Sequence, residues 1–193
     1  VRARATPGEI LAQLPSAPPD KSVSFDKVFD DFKEIIVPGM THWQHPSFFA
    51  YFPANSSPAS VLAEMITATL GAQCMSWETS PAAAELEQCT MEWLRQMIGL
   101  PSDFEGVIQD SASTATLCAI LSAREQASEW RANENGLRGE NDMVVYGSSE
   151  CHSSIEKAVK IAGLGRHNFH KVSVDDSFGM DPRALANGIM ADK

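Results

Sequence analysis

Closely spaced cysteines, long apolar runs and an excess of basic residues are all missing from this sequence. The 4 cysteines (Cys74, Cys89, Cys118 and Cys151) form no CxxC pair, so we expect reduced thiols and neither a zinc or other metal site nor a disulfide framework. No run approaches the ~20 apolar residues that a membrane span requires. With 25 acidic and 15 basic residues, the net charge of −10 disfavours nucleic acid as a partner.

The rest of the composition is typical of a globular protein. The 193 residues, 44% of them hydrophobic and 21% charged, are enough to bury a core. Residues 1–9 lack the charged-then-apolar layout of a signal peptide, and we therefore expect a cytoplasmic protein.

The first part of the chain predicts an extended arm and then an amphipathic helix. Residues 5–22 are rich in proline, which resists regular structure. From Phe25 to Ile36 apolar residues recur at spacings of three and four, until Pro38 and Gly39 end the run. Such an apolar stripe needs cover, which either its own chain or a second subunit could supply.

Two helices with capping signals follow an irregular aromatic segment, residues 42–57. Ser57-Pro58 and Ser80-Pro81 each place serine at the N-cap and proline at the first helical position. They predict helices over 58–70 and 81–98. We place a domain boundary here, with the arm, the helices and the aromatic loop in residues 1–80.

From Gly106 onward, a short apolar strand followed by a helix recurs along the chain. The pairs are Gly106–Gln109 with Thr114–Ala127, Met143–Tyr146 with Ser153–Ala162, and Phe169–Val174 with Pro182–Met190. This alternation predicts an α/β domain with a mainly parallel sheet. Because a crossover helix normally leads to another strand, we expect residues 81–193 to be an incomplete domain. A Rossmann-type nucleotide-binding domain is disfavoured, since neither GxGxxG nor a Walker pattern occurs.

Two strand-to-helix junctions are candidates for ligand binding. In the first, Ser111, Ala112 and Ser113 precede an apolar helix, where small residues let the backbone approach a phosphate and hydroxyl groups add donors. A simple N-cap is the alternative. In the second, His152 precedes a helix in which Ser153 and Glu156 have the spacing of a capping box. Its imidazole can stack on a flat ring, or serve only as a structural or surface histidine.

Several blocks of sequence follow one another in a characteristic order from about Phe25 to the C-terminus. They are Thr41–Pro53, Met75–Ala82, Glu85-Leu86-Glu87 with Trp93-Leu94, Gly106–Ser113, and Cys151–Ser154 with Glu156-Lys157-Ala158. In order and spacing they resemble the group II pyridoxal-phosphate-dependent decarboxylases, in particular the aromatic-L-amino-acid decarboxylases that act on DOPA, tyrosine or tryptophan. Ordered blocks are more specific than any single short motif.

The resemblance implies the fold of type I pyridoxal-phosphate-dependent transferases, pyridoxal phosphate as cofactor, and a homodimer with the active site at its interface. The implied reaction converts an aromatic L-amino acid to the corresponding amine and carbon dioxide. The cofactor phosphate would be held by Ser111, Ala112 and Ser113, while His152 would stack on the pyridine ring and act as a catalytic proton donor. The substrate side chain would contact Trp43, Tyr51, Phe52, Pro53 and Met75. A hydrophobic docking patch is the alternative for the aromatic segment.

Two functional motifs of these decarboxylases do not occur in the sequence. They are an Asn-Pro-His-Lys-Trp type motif, whose lysine binds the cofactor covalently, and an Asp-Ala-Ala type motif, whose aspartate faces the pyridine nitrogen. His170-Lys171 imitates the first motif but leads into a strand-like run, so we reject Lys171 as the cofactor lysine and predict that the 193-residue segment alone is inactive. The alternatives are an aldehyde synthase of the same cofactor class, a histidine- or glutamate-type decarboxylase, and a non-catalytic dimerising fragment.

Overall fold

The computed structural model of this protein describes residues 2–52, 56–137 and 143–193. The chain divides into two compact units, Val1–Ala72 and Gln73–Lys193. This division precedes the boundary that we placed at residue 80, and the functional division into an arm and a cofactor-binding domain stays a prediction. No helix among these residues is long and apolar enough to cross a membrane.

The first unit is helical. Its elements are a 3₁₀ turn at Leu11–Gln13, α1 at Phe25–Asp31, a π-helical turn at Phe32–Ile36, α2 at Val37–Gly39 and α3 at Pro58–Leu70. The predicted helix from Phe25 is thus present, with a π turn inside it, and it ends at Gly39, as Pro38 and Gly39 predicted. At α3 the predicted cap is confirmed: Ser57 Oγ accepts the Ser60 N–H at 3.1 Å.

The proline-rich arm returns onto the end of this helix. The Ala3 N–H donates to Thr41 Oγ1 at 3.2 Å. A Cβ at Gly39 would lie 2.8 Å from Ile10 Cδ1, so glycine leaves room for the arm. Most of the apolar stripe is exposed, with Phe25 77% and Phe29 47% exposed, while Ile35 and Ile36 at its end are half-buried. Docking of the stripe on a second subunit stays a prediction.

The second unit contains both strands that the described residues form. Its elements are α4 at Pro81–Met97, α5 at Ala112–Ala127, α6 at Ala132–Asn135, β1 at Val145–Ser148, α7 at Ser154–Ile161, a 3₁₀ turn at Arg166–Asn168, β2 at Phe169–Val172 and α8 at Pro182–Ala191. Strands β1 and β2 are parallel, with Val145 opposite Phe169. The last two predicted strand–helix pairs are therefore present, in a parallel arrangement.

The first predicted strand, Gly106–Gln109, is wrong. These residues join no sheet, and Val107 and Ile108 are 67% and 59% exposed. The Ile108 N–H donates to the Glu87 Oε1 carboxylate oxygen at 2.7 Å instead of to a neighbouring strand. An apolar run becomes a strand only where another strand lies beside it, and none does so among the described residues. Ser80 is the N-cap of α4 and Pro81 its first residue, as predicted, but the Ser80 side chain makes no capping hydrogen bond.

The core of the second unit lies between α5, α7 and the sheet. Val159, Ala162, Leu164 and Phe169 are buried together. Gly147 in β1 gives space to the Phe169 ring, because a Cβ there would lie 2.7 Å from the ring. Packing around this cluster fixes the start of α7 relative to α5.

A buried ion pair holds α5 to α6 and to the end of α7. Arg124 Nη2 lies 2.9 Å from Glu125 Oε1, and both side chains are largely buried. Arg124 Nη1 also donates to the Ala162 carbonyl at 2.8 Å. The Asn133 N–H donates to Glu125 Oε2 at 3.1 Å. These hydrogen bonds give the buried charges of Arg124 and Glu125 the polar partners that burial requires.

The C-terminal turn of α4 holds a second ion pair, in which Glu92 is exposed and Arg95 is half-buried. Arg95 donates to Glu92 through Nε at 2.7 Å and Nη2 at 2.6 Å, and Gln96 Nε2 donates to the same carboxylate at 2.7 Å. These hydrogen bonds, that from Arg95 first, lower the pKa of Glu92 from 4.5 to about 2.

The ionised Glu92 should therefore contribute stability that is present above pH 4.5 and is lost as the pH falls toward about 2. A carbon-13 NMR titration of the Glu92 carboxyl should give a midpoint near 2. Arg95→Ala should move the midpoint toward the ordinary value, and Gln96→Ala should move it less. A midpoint near 4.5 in the unaltered protein would contradict this assignment.

Candidate functional site

The N-terminus of α5 offers free backbone donors. Ser111 is the N-cap, and its Oγ accepts the Thr114 N–H at 3.2 Å. Within the described part of the chain, no acceptor is bonded to the N–H groups of Ala112 and Ser113. Both residues are exposed at the start of a 16-residue helix. Capping and anion binding are therefore compatible here, because the cap uses one amide and leaves two.

His152 itself caps α7. The capping box predicted for Ser153 and Glu156 is wrong: Ser153 already has helical backbone angles (φ −59, ψ −15) and makes no side-chain cap bond. The Ser154 N–H instead donates to His152 Nδ1 at 3.2 Å, and Ser154 Oγ lies 2.9 Å from the same nitrogen. A ring nitrogen that accepts an N–H bond carries no proton, so the neutral ring carries its proton on Nε2.

The beginnings of α5 and α7 face one cleft. It has a volume of about 210 Å³ and is lined by Ser113, Thr114, Leu117, Ser154, Lys157, Ala158 and Ile161. His152 adjoins it through the bonds to Ser154. The structure thus brings the two predicted junctions together.

Lys157 was given no role from the sequence. It contributes a cationic side chain to the cleft, three residues after Ser154 on the same face of α7. The three-residue spacing between Ser154 and Lys157 is the sequence signal that could have identified Lys157 as a residue of this cleft.

Aromatic rings of the first unit form a separate pocket. Trp43 stacks on Phe48 and on Tyr51, with ring centroids 5.1 and 5.4 Å apart. These rings line a pocket of about 620 Å³, which also contains Arg2. Tyr51 has a left-handed backbone (φ 58), a strained conformation for an aromatic residue.

Two further predicted substrate residues, Phe52 and Met75, lie in different units. Phe52 belongs to the first unit and is 99% exposed, while Met75 belongs to the second unit and is 81% exposed. Pro53 lies outside the described residues. Lys171, which we rejected as the cofactor lysine, lies on β2 with its Nζ 4.0 Å from Glu156 Oε2.

Comparisons with known proteins identify the family. Residues 7–193 match the pyridoxal-dependent decarboxylase conserved domain. The chain is 40% identical to phenylacetaldehyde synthase of Arabidopsis thaliana and 38% identical to tryptophan decarboxylase 2 of Oryza sativa subsp. japonica, over 100% of this chain and 40% and 39% of the relatives. A crystal structure of Oryza sativa TDC with PLP and tryptamine matches with a TM-score of 0.90 and 32% identity, over 99% of this chain and 41% of that one.

The chain belongs to the pyridoxal-dependent decarboxylase family, and it spans about two fifths of the length of these relatives. The predicted family and fold class are therefore confirmed, as is pyridoxal phosphate as the cofactor at the level of the family. The predicted roles of individual residues stay proposals.

The residues of the cleft fit this cofactor. Two amides without an acceptor and a hydroxyl group at the start of α5 suit a phosphate dianion, and Lys157 adds a positive charge. The exposed, flat ring of His152 suits a pyridine ring.

Proposed function

We propose that the protein to which this chain belongs decarboxylates an aromatic L-amino acid to the corresponding amine and carbon dioxide, using pyridoxal phosphate. The observation that carries the proposal is the cleft that Ser113, at the start of α5, lines together with Ser154, whose amide His152 caps. Membership of the pyridoxal-dependent decarboxylase family supports it.

In this proposal the residues of the cleft bind and orient the cofactor. The Ala112 and Ser113 amides donate to the phosphate, and the Ser111 cap keeps these amides in place. His152 stacks on the ring, and Nε2, the ring nitrogen that the cap does not use, is the atom that would pass a proton to the substrate. When bound, the cofactor supplies an electron sink for the electrons of the bond that releases carbon dioxide.

The aromatic pocket is the proposed site for the substrate side chain. Trp43 and Tyr51 present stacked faces on which a further flat ring can pack. Phe52, Pro53 and Met75 complete the proposed contacts. We also propose a homodimer with the active site at its interface, supported by the exposed phenylalanine side chains of α1 and the π turn. A cytoplasmic location stays a prediction.

Removing both hydroxyl groups of the turn should weaken cofactor binding. In the intact enzyme, Ser111→Ala combined with Ser113→Ala should raise the dissociation constant for pyridoxal phosphate by about 5- to 100-fold, which corresponds to roughly 1 to 3 kcal/mol of lost hydrogen bonding to a charged group. Titration of the apoenzyme with cofactor, followed by fluorescence, measures this constant.

A matched control is Ser57→Ala. Ser57 caps α3 in the first unit by the same type of bond, so its loss should leave cofactor affinity unchanged. An unchanged dissociation constant in the double variant would remove the phosphate assignment.

An aldehyde synthase is the second candidate, favoured by the 40% identity to phenylacetaldehyde synthase. Incubating the intact enzyme with phenylalanine, tyrosine, tryptophan or DOPA separates the two. Release of amine and carbon dioxide without oxygen uptake supports the decarboxylase, whereas aldehyde formation coupled to oxygen uptake supports the synthase. Turnover of histidine or glutamate alone would contradict the aromatic substrate class, and no turnover of any amino acid would favour a non-catalytic role.

A further inference from the structure

The chain that follows α4 runs back along one face of that helix. Arg95 Nη1 donates to the Leu100 carbonyl at 2.6 Å. A Cβ at Gly106 would lie 3.2 Å from Met91 Sδ, so the backbone passes close to this side chain. Glu87 Oε1 accepts the Ile108 N–H at 2.7 Å. The helix positions used, 95, 91 and 87, are four residues apart and therefore share one face.

The two chain segments advance in step. Four residues of an α-helix rise ~6 Å, which takes Met91 to Glu87. Two residues of extended chain span ~6.6 Å, which takes Gly106 to Ile108. The step from Met91 to Glu87 on α4 therefore matches the step from Gly106 to Ile108, without the partner strand that we expected from the sequence.

Apolar burial contributes little to holding the end of this segment. Val107 is 67% exposed and Ile108 is 59% exposed, so neither side chain anchors the backbone. The bond between Glu87 and the Ile108 amide lies three residues before the turn at Ser111. It thus fixes the point from which the chain enters that turn.

We propose that Glu87 is a positioning residue for the cofactor phosphate. By holding the Ile108 amide, its carboxylate sets the place of the turn and hence of the Ala112 and Ser113 amides. This inference rests on the proposed phosphate site at the start of α5. Glu87 acts through the backbone and touches neither cofactor nor substrate.

The test uses Glu87→Ala and Glu87→Gln in the intact enzyme. Glu87→Ala should speed hydrogen exchange of the Ile108 amide and raise the dissociation constant for pyridoxal phosphate, each by about tenfold, as expected for a lost hydrogen bond to a carboxylate. At saturating cofactor, kcat and the KM for the amino acid should stay unchanged. Glu87→Gln keeps an acceptor oxygen and should restore both values to within about threefold.

Glu85→Ala is the matched control. Glu85 lies on the same helix and accepts a hydrogen bond from Trp77 Nε1 at 3.0 Å, away from the segment that leads to Ser111. This variant should lose a bond of the same kind without a change in cofactor affinity. An equal loss of affinity in Glu85→Ala would show general weakening of α4 and overturn the inference.

Two further outcomes separate this inference from the proposed function. If Glu87→Ala leaves cofactor affinity unchanged while the Ser111 and Ser113 double variant weakens it, only the positioning role is wrong. If neither change affects affinity, the phosphate site is wrong and the positioning role falls with it. A loss of affinity with unaltered exchange at Ile108 would also overturn the role of Glu87.

Discussion

Turnover by the intact enzyme is expected to fall by about 100-fold or more when His152 is replaced by alanine, while pyridoxal phosphate stays bound. A positioned proton donor typically contributes ~10²- to 10⁴-fold to rate, and loss of the ring also removes the surface that we propose to orient the cofactor. The cofactor should be retained because the substitution leaves the proposed phosphate contacts at Ala112 and Ser113 untouched. Carbon dioxide release measures turnover, and the absorbance of cofactor liberated by alkali measures occupancy.

His152→Asn separates chemistry from structure. In the native chain the Ser154 N–H donates to the His152 ring, so alanine also removes a helix cap. Asparagine offers an acceptor oxygen at the cap position but no imidazole. Turnover should stay low in His152→Asn although α7 keeps its cap. Recovery of turnover in this variant would show that the cap, and not the ring, is what the enzyme needs.

Replacing Glu125 by alanine is expected to lower the local stability of the second unit by about 3 kcal/mol, the cost of leaving a buried charge without its partner. Glu125 is 6% exposed and pairs with Arg124, whose other bonds reach Ala162 and Asn133. Native-state hydrogen exchange of the slowest amides in α5 and α7 measures the free energy of opening.

The control is an exposed pair of the same chemical type. Glu129 lies 2.9 Å from Arg131, and its side chain is 81% exposed. Glu129→Ala should change the opening free energy by less than about 1 kcal/mol, because water screens this pair. Equal effects of the two substitutions would mean that burial does not control the contribution of Glu125.

Local signals were sufficient for most helices and for part of the site. Proline after serine located the starts of α3 and α4, and the small residues from Ser111 to Ser113 located the start of α5 to within two residues. Each signal acts within one helical turn, so it can be read without knowing the rest of the fold.

Contacts between distant parts of the chain escaped prediction. Gly106–Gln109 has the composition of a strand, but pairing depends on a neighbour that the sequence does not specify, and the Ile108 amide bonds to Glu87 instead. At α7 the sequence offered Ser153 as the cap, whereas the adjacent His152 ring supplies the acceptor. Either His152 or Ser153 could supply the acceptor that caps α7, and their spacing in the sequence does not distinguish the two.

The contact between Gly147 and Phe169 limits how these two positions can diverge during evolution. A side chain at 147 would meet the Phe169 ring at 2.7 Å, so a larger residue there requires a smaller one at 169. Changing 147 first overpacks the strand pair, at about 1 to 3 kcal/mol, and changing 169 to alanine first opens a void, at about 3 to 5 kcal/mol. The effect of each substitution on stability therefore depends on the other. The order that changes position 147 first passes through the less destabilised intermediate.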